Sequence, residues 1–116
     1  MAGWDDLIGR QESRSDRIDS GALGRWLATL DRDAPADGTV PQGYHWRLGL
    51  PDAPTARLGP DGHPLRDDSA HSFLPPVPLP RRMWASSQVE FFTPLLVGES
   101  VTRTSRVLSV AQKTGG

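Results

Sequence analysis

A chain of 116 residues has room for one hydrophobic core, and with Leu, Ile, Val and Phe making up barely a fifth of it that core must be thin. The formal net charge of -1 supplies no general field for nucleic acid or an anionic membrane. The absence of cysteine excludes disulfides, thiolate nucleophiles and cysteine-based zinc sites, and suits a reducing, cytoplasmic setting. Asp5 and Asp6 stand where a signal peptide would carry basic residues, and no apolar run approaches the ~20 residues that span a bilayer, so no membrane association is expected. The charge is uneven along the chain: from Arg81 onward it is +3, against -4 before it, which leaves scope for a local anion site.

Taken in order, Trp4 to Ile8 reads as a short helical turn, with Trp4 and Ile8 as a hydrophobic staple around an Asp cap. Gln11 to Ile18 is charged in the manner of a protected edge strand. Asp19 or Ser20 then caps a helix in which Leu23, Trp26, Leu27 and Leu30 recur at i, i+3, i+4 and i+7, with Asp31 to Pro35 ending it. Tyr44, Trp46, Leu48 and Leu50 alternate, which would put all four on one face of an extended segment. Ten of the eleven prolines lie between Asp31 and Pro80, so residues 31–80 read as a long Pro/Gly-rich loop region, with a reversal at Pro60-Asp61-Gly62 and a stiff lead-in from Leu74 to Pro80.

The stretch from Arg81 to Val110 reads as two successive strands. Ala85, Ser87, Val89 and Phe91 share one face of the first, Ala85 to Phe92; a turn at Val97-Gly98-Glu99 leads to the β-branched run Val101 to Val110. Lys113 to Gly116 is hairpin chemistry, so the chain is expected to be the front part of a larger domain. With a following strand missing, Val101 to Val110 would present an open edge, and such edges recruit other chains; an oligomer is expected.

Several groups are candidates for chemistry. His63 and His71 lie among Asp61, Asp67 and Asp68, nominally metal ligands, but their spacing fits no rigid template and solvated loop residues describe them better. His45, between Tyr44 and Trp46, would point away from the core if those aromatics face it, and reads as structural or solvent-facing. No Gly-x-Ser-x-Gly and no phosphate loop occurs, and nothing calls for a cofactor or a metal. Arg103 and Arg106, an odd number apart, fall on opposite strand faces, which argues against a nucleic-acid sheet. The most suggestive cluster is Arg81, Arg82, Met83 and Trp84: a basic lip for CoA or carrier-protein phosphate beside an apolar acyl slot. The plainer alternative is a solvated arginine pair at a strand start with Trp84 in the core.

The segments Met83-Trp84-Ala85, Val89-Glu90-Phe91, Pro94-Leu95, Val97-Gly98-Glu99 and Thr102-Arg103-Thr104-Ser105, with Tyr44-His45-Trp46-Arg47 and Gly59 to Pro64 upstream, resemble the N-terminal half of MaoC-like, double hot-dog acyl-thioester hydratases and dehydratases. Within them the chain is most similar to the mesaconyl-CoA, methylfumaryl-CoA and itaconyl-CoA hydratase group. The resemblance implies an α+β hot-dog fold, a sheet wrapped on the helix, incomplete at its C-terminus and spanning residues 1–116. It implies a substrate-shaping half of a hydro-lyase acting on acyl-CoA or acyl-carrier thioesters, with a C-terminal hot-dog domain or homologous subunit as partner. The family's Asp-x-Asn-x-x-His-like catalytic arrangement cannot be here, because the chain has no asparagine; no catalytic residue carries over. Arg81, Arg82, Met83, Trp84 and Trp46 are the substrate-binding candidates. The rival class is a noncatalytic hot-dog module that binds acyl thioesters or a protein partner.

Overall fold

The computed structural model describes residues 4–67, 69, 72–75, 77–79 and 81–115. It is α+β: one helix, α1 (Ser20–Thr29), and one two-stranded sheet of β1 (Gln11–Arg17) and β2 (Ser100–Arg106), with short 3-10 turns at Asp5–Leu7, Tyr44–Arg47 and Thr55–Arg57. The strands run antiparallel. Ser13 lies opposite Thr104 and Ser15 opposite Thr102, their hydroxyls 3.2 and 3.4 Å apart. The ladder continues past one end through Gly9 N–H to Val107 O (2.8 Å) and past the other through Gly98 N–H to Ile18 O (2.8 Å).

The chain divides into two compact units, residues 1–13, 51–83 and 104–116 in one, residues 14–50 and 84–103 in the other. In the first, Leu7 is the buried residue of the opening 3-10 turn while Ile8 stays 47% exposed, so the staple expected around an Asp cap does not form. The reversal at Pro60-Asp61-Gly62 does form: Leu58 bridges Pro64, Gly59 N–H donates to His63 O and Leu65 N–H to Arg57 O.

The second unit holds the core, where Ile18, Leu23, Leu27, Val40, Tyr44 and Leu48 pack together with Trp26, Leu95 and Val101 against them. The Asp19 carboxylate accepts from Ala22 N–H (2.8 Å) and starts α1. At the other end Asp31 takes φ +55° while its N–H donates to Ala28 O and Arg32 N–H to Leu27 O, the paired closure that satisfies the last helical carbonyls. The chain then returns along residues 38–40, where Val40 N–H donates to Leu95 O (2.8 Å) and Val97 N–H to Gly38 O (3.0 Å). From there a turn closed by Glu99 N–H to Leu96 O delivers β2, with Gly98 at φ +90° supplying the left-handed step.

Three expectations are corrected. Ala85 to Phe92 is not a strand; among the described residues no backbone hydrogen bond involves positions 81–94, and β2 pairs instead with the predicted edge strand β1. A period of two gives a segment a sidedness but no hydrogen bonds of its own, and here no neighbour supplies them. The second run stops at Arg106, not Val110, because β1 offers ladder partners only to Gln11 and the residues just before it. Tyr44 to Leu50 coils rather than extends: Tyr44 and Leu48, four apart, are buried, whereas Trp46 and Leu50 are 61% and 53% exposed. The alternation at 44, 46, 48 and 50 contained an i, i+4 pair, and that pair won.

Candidate functional site

The predicted cluster divides across the two units. In the first, Arg82 lines a groove of about 750 Å³ with Asp61, His63, Leu65, Arg66 and Leu79. The Arg66 guanidinium is committed, donating to Val77 O and Leu79 O, so it braces the proline-rich segment. Asp61 accepts from His63 N–H at 3.0 Å, and this bond, followed by the charges of His63 and Arg82, holds its carboxyl below the usual range. The acidic loop thus spends Asp61 on turn chemistry. Asp67 of the nominal metal set accepts from Ser69 N–H at 2.9 Å, Asp68 and His71 lie outside the described residues, and among the described residues no three His, Asp or Glu side chains converge.

Arg81 is exposed, and Met83 is 86% exposed. Trp84, in the second unit, is 81% exposed; it is not core, and its Nε1 donates to Ser87 Oγ at 2.9 Å. Neither the strand start nor the buried Trp84 of the plainer alternative is present.

The second unit presents a different cleft, of about 730 Å³, walled by Val40, Pro41, His45, Val89, Phe91 and Leu95, with Thr39, Gln42 and Glu90 also on its lining. Its residues come from the two sides of the core: residues 39–42 are held by the Thr39–Leu96 bridge, and His45 rides on the 3-10 turn whose Tyr44 is anchored against Trp26 (5.2 Å, edge to face). Arg47 stacks over the Tyr44 ring at 5.5 Å and reaches Ala22 O, tying that turn to α1. The His45 imidazole lies 4.7 Å from the Trp46 ring and 5.4 Å from Phe91, which meets it edge to face at 79°. His45 Nδ1 is buried and has no hydrogen-bond partner.

An apolar cleft with a few polar groups is the usual composition of a small-molecule site, and here one of those groups is an unpaired nitrogen. Of the predicted residues the structure brings Trp46 near it, through His45, and leaves Met83 and Trp84 projecting into solvent. Sequence reasoning assigned His45 a structural or outward role. The signal for its place on the cleft wall was the spacing of Tyr44 and Leu48, which fits the helical rather than extended backbone that carries His45.

Asp16 supports the region from beneath. Its carboxylate accepts from Gly49 N–H (2.8 Å) and Arg17 N–H (2.7 Å), and these bonds, with the Arg47 charge, lower its pKa. The same contact fixes the end of the segment that carries His45.

Comparison with known proteins identifies two matches. A family model described as hydroxyacyl-thioester dehydratase type 2 matches residues 43–116. The mesaconyl-C(4)-CoA hydratase of Chloroflexus aurantiacus is 38% identical over 117 aligned residues, which take in 98% of this chain and 40% of that protein. The chain therefore spans less than half the length of the curated relative it matches.

Proposed function

The chain belongs to the MaoC-like hydroxyacyl-thioester dehydratase family, and on that premise we propose that it is the substrate-shaping N-terminal part of a hydro-lyase that hydrates 2-enoyl-CoA thioesters of the mesaconyl, methylfumaryl or itaconyl type, or dehydrates 3-hydroxyacyl thioesters. The observation that carries this is the breadth of the match: nearly the whole chain aligns with a hydratase of which it is only 40%. On this proposal α1 and the β1–β2 pair belong to an incomplete hot dog over residues 1–116, and residues 31–80 form its long loop region. The remaining strands and a C-terminal hot dog come from outside the chain.

Hydration of a conjugated thioester adds a water oxygen at the β-carbon and a proton at the α-carbon, so it needs a positioned base and a positioned acid. Asp16 and Asp61 are engaged by backbone N–H groups, and the chain has no Asp-x-Asn-x-x-His arrangement. The acid–base pair is therefore assigned to the C-terminal partner. This chain's residues bind and orient: the cleft beside His45 excludes water from the acyl group and Trp46 forms part of its surround, while Arg81, Arg82, Met83 and Trp84 are the candidates for contacts to the phosphate and thioester arm. Charge-assisted contacts from arginine to phosphate bind ground and transition states alike, so they act on KM rather than kcat.

The test is steady-state hydration by the chain combined with the C-terminal remainder of a homologous hydratase. The pair should turn over while the 116-residue chain alone does not. Arg81→Ala and Arg82→Ala should raise KM with kcat unchanged. Robust turnover by the chain alone, or a fall in kcat at constant KM in the arginine variants, would overturn the respective assignment. A noncatalytic module for acyl thioesters would bind them through the same cleft, and is distinguished by failure of the reconstituted pair.

A further inference from the structure

Among the described residues, His45 Nδ1 is the buried side-chain nitrogen or oxygen left without a hydrogen-bond partner. An imidazole nitrogen needs one whichever proton it carries, as donor or as acceptor, and folded chains keep a buried polar atom unpaired only where something else accounts for it. The ring lies 4.7 Å from that of Trp46 at a tilt of 37°, on a 3-10 turn anchored by the buried Tyr44 next to it in the chain. Phe91, by contrast, stands edge-on to the ring from a segment that makes no backbone hydrogen bonds among the described residues, and is itself 49% exposed. The fixed partner in this pair is His45 and the displaceable one is Phe91.

We propose that His45 selects acyl groups bearing a second oxygen function beyond the carbonyl of the thioester itself: a ligand entering the cleft pushes Phe91 aside, and a distal carbonyl or carboxylate oxygen on the acyl chain accepts a hydrogen bond from Nδ1–H. This rests on the cleft being the acyl site of the function proposed above. A hydrocarbon acyl group of the same length fills the same volume but leaves Nδ1 dry and unpaired. Sites that hold a polar group for a substrate oxygen reject the analogue lacking it far more strongly than apolar pockets reject an extra methylene. Val40, Pro41, Val89 and Leu95 give both ligands the same apolar burial, and because Thr39, Gln42, Glu90 and Thr93 also line the cleft, the share of the difference that belongs to His45 is the part lost when its nitrogen is removed.

Stable amide analogues of pantetheine carrying glutaryl, methyl glutaryl or pentanoyl groups test this by titration into the 116-residue chain. The two oxygenated probes are expected to bind about 10-fold to 100-fold more tightly than pentanoyl. Preference for glutaryl alone identifies a carboxylate as the acceptor, and preference for both identifies a carbonyl. His45→Phe should erase the preference while leaving the thermal midpoint unchanged or higher, because it removes the unpaired nitrogen and keeps the ring. His45→Gln, which retains a donor, should keep part of the preference, and Phe91→Ala should keep all of it. In the unsubstituted chain the ¹⁵N resonance of His45 Nδ1 should move on adding glutaryl and not pentanoyl, a readout that needs no variant to fold. Equal affinities for the three probes, a preference that survives His45→Phe, or no binding of any probe would each overturn the role of His45. Turnover by the reconstituted pair would in those cases leave the hydro-lyase assignment standing.

Discussion

Leu23 to Leu30 and Ala85 to Phe92 each carried hydrophobic periodicity, and of the two only the first became regular structure. The helix α1 makes its own hydrogen bonds, is capped by Asp19 and closed at Asp31, and buries Leu23 and Leu27 to 1% and 2% exposure. Among the described residues, 84–92 make no backbone hydrogen bonds, and Phe92 is 88% exposed. The difference lies in where the partners come from. A helix satisfies its backbone within the segment, whereas a strand's N–H and C=O groups must be satisfied by another strand, which the periodicity of one segment cannot supply.

The sharpest way to break this comparison is to truncate one side chain from each segment. Leu27→Ala should cost about 2–5 kcal/mol, as for a fully buried leucine, and Phe92→Ala less than about 0.5 kcal/mol. Phe91→Ala, which a core-facing strand position would make comparably costly, should fall well below Leu27→Ala because half of the ring already meets solvent. Urea melts measure all three, and a Phe92→Ala loss approaching that of Leu27→Ala would place residues 84–92 in a packed sheet.

The next effect isolates the helix's self-sufficiency. Asp19→Ala removes the acceptor for Ala22 N–H and should destabilise by about 1 kcal/mol, whereas Asp19→Ser should largely restore it. A neutral Asp19→Ala in the same melts would mean that packing alone holds the first turn.

Smaller still is the opposite end. Asp31 is the non-glycine residue at positive φ among the described positions, and it occupies the closing site where glycine is preferred. Asp31→Gly should therefore stabilise by a few tenths to about 1 kcal/mol, the relief of left-handed strain outweighing the added freedom of the unfolded chain. Lower stability of Asp31→Gly would show that its side chain matters more than its backbone.

How much of this was legible follows the same division. The helix, its cap, its end, the Pro60-Asp61-Gly62 reversal and the turn at Gly98 all rest on residues near in sequence, and each is where the residue chemistry indicated. The β1 strand was legible from its charges, but not the identity of its partner, because register with β2 spans 87 to 91 residues of sequence. The Arg81 to Trp84 cluster was legible as composition only; whether Trp84 is core or surface depends on a sheet that nothing local could confirm. The backbone around His45 was misread as extended because alternation at 44, 46, 48 and 50 fits a strand as well as the i, i+4 pair Tyr44 and Leu48 fits a helical turn, and the burial of that pair decides between them only in three dimensions.

The least of these effects concerns Asp16, which joins β1 to the segment carrying His45. The Gly49 and Arg17 N–H groups, with the Arg47 charge, favour its carboxylate in the folded chain, so its folded pKa lies below the ordinary value of 3.8. As pH falls, the unfolded chain takes up the proton first. The contribution of Asp16 is accordingly complete above about pH 4 to 5 and drains away as pH falls through the folded pKa. Asp16→Asn keeps the size of the side chain and an acceptor for Gly49 N–H but removes the titration. Its melting midpoint should lie slightly below that of the unsubstituted chain at pH 7, and the gap should narrow as pH falls through the folded pKa of Asp16 and its carboxylate takes up the proton. Because Asp16 is open to solvent, raised salt should shrink the Arg47 share of the gap and leave the two backbone hydrogen bonds' share in place. A gap that stays constant from pH 7 to pH 3 would show that Asp16 acts by shape alone, and that the Gly49 contact does not anchor the turn bearing His45.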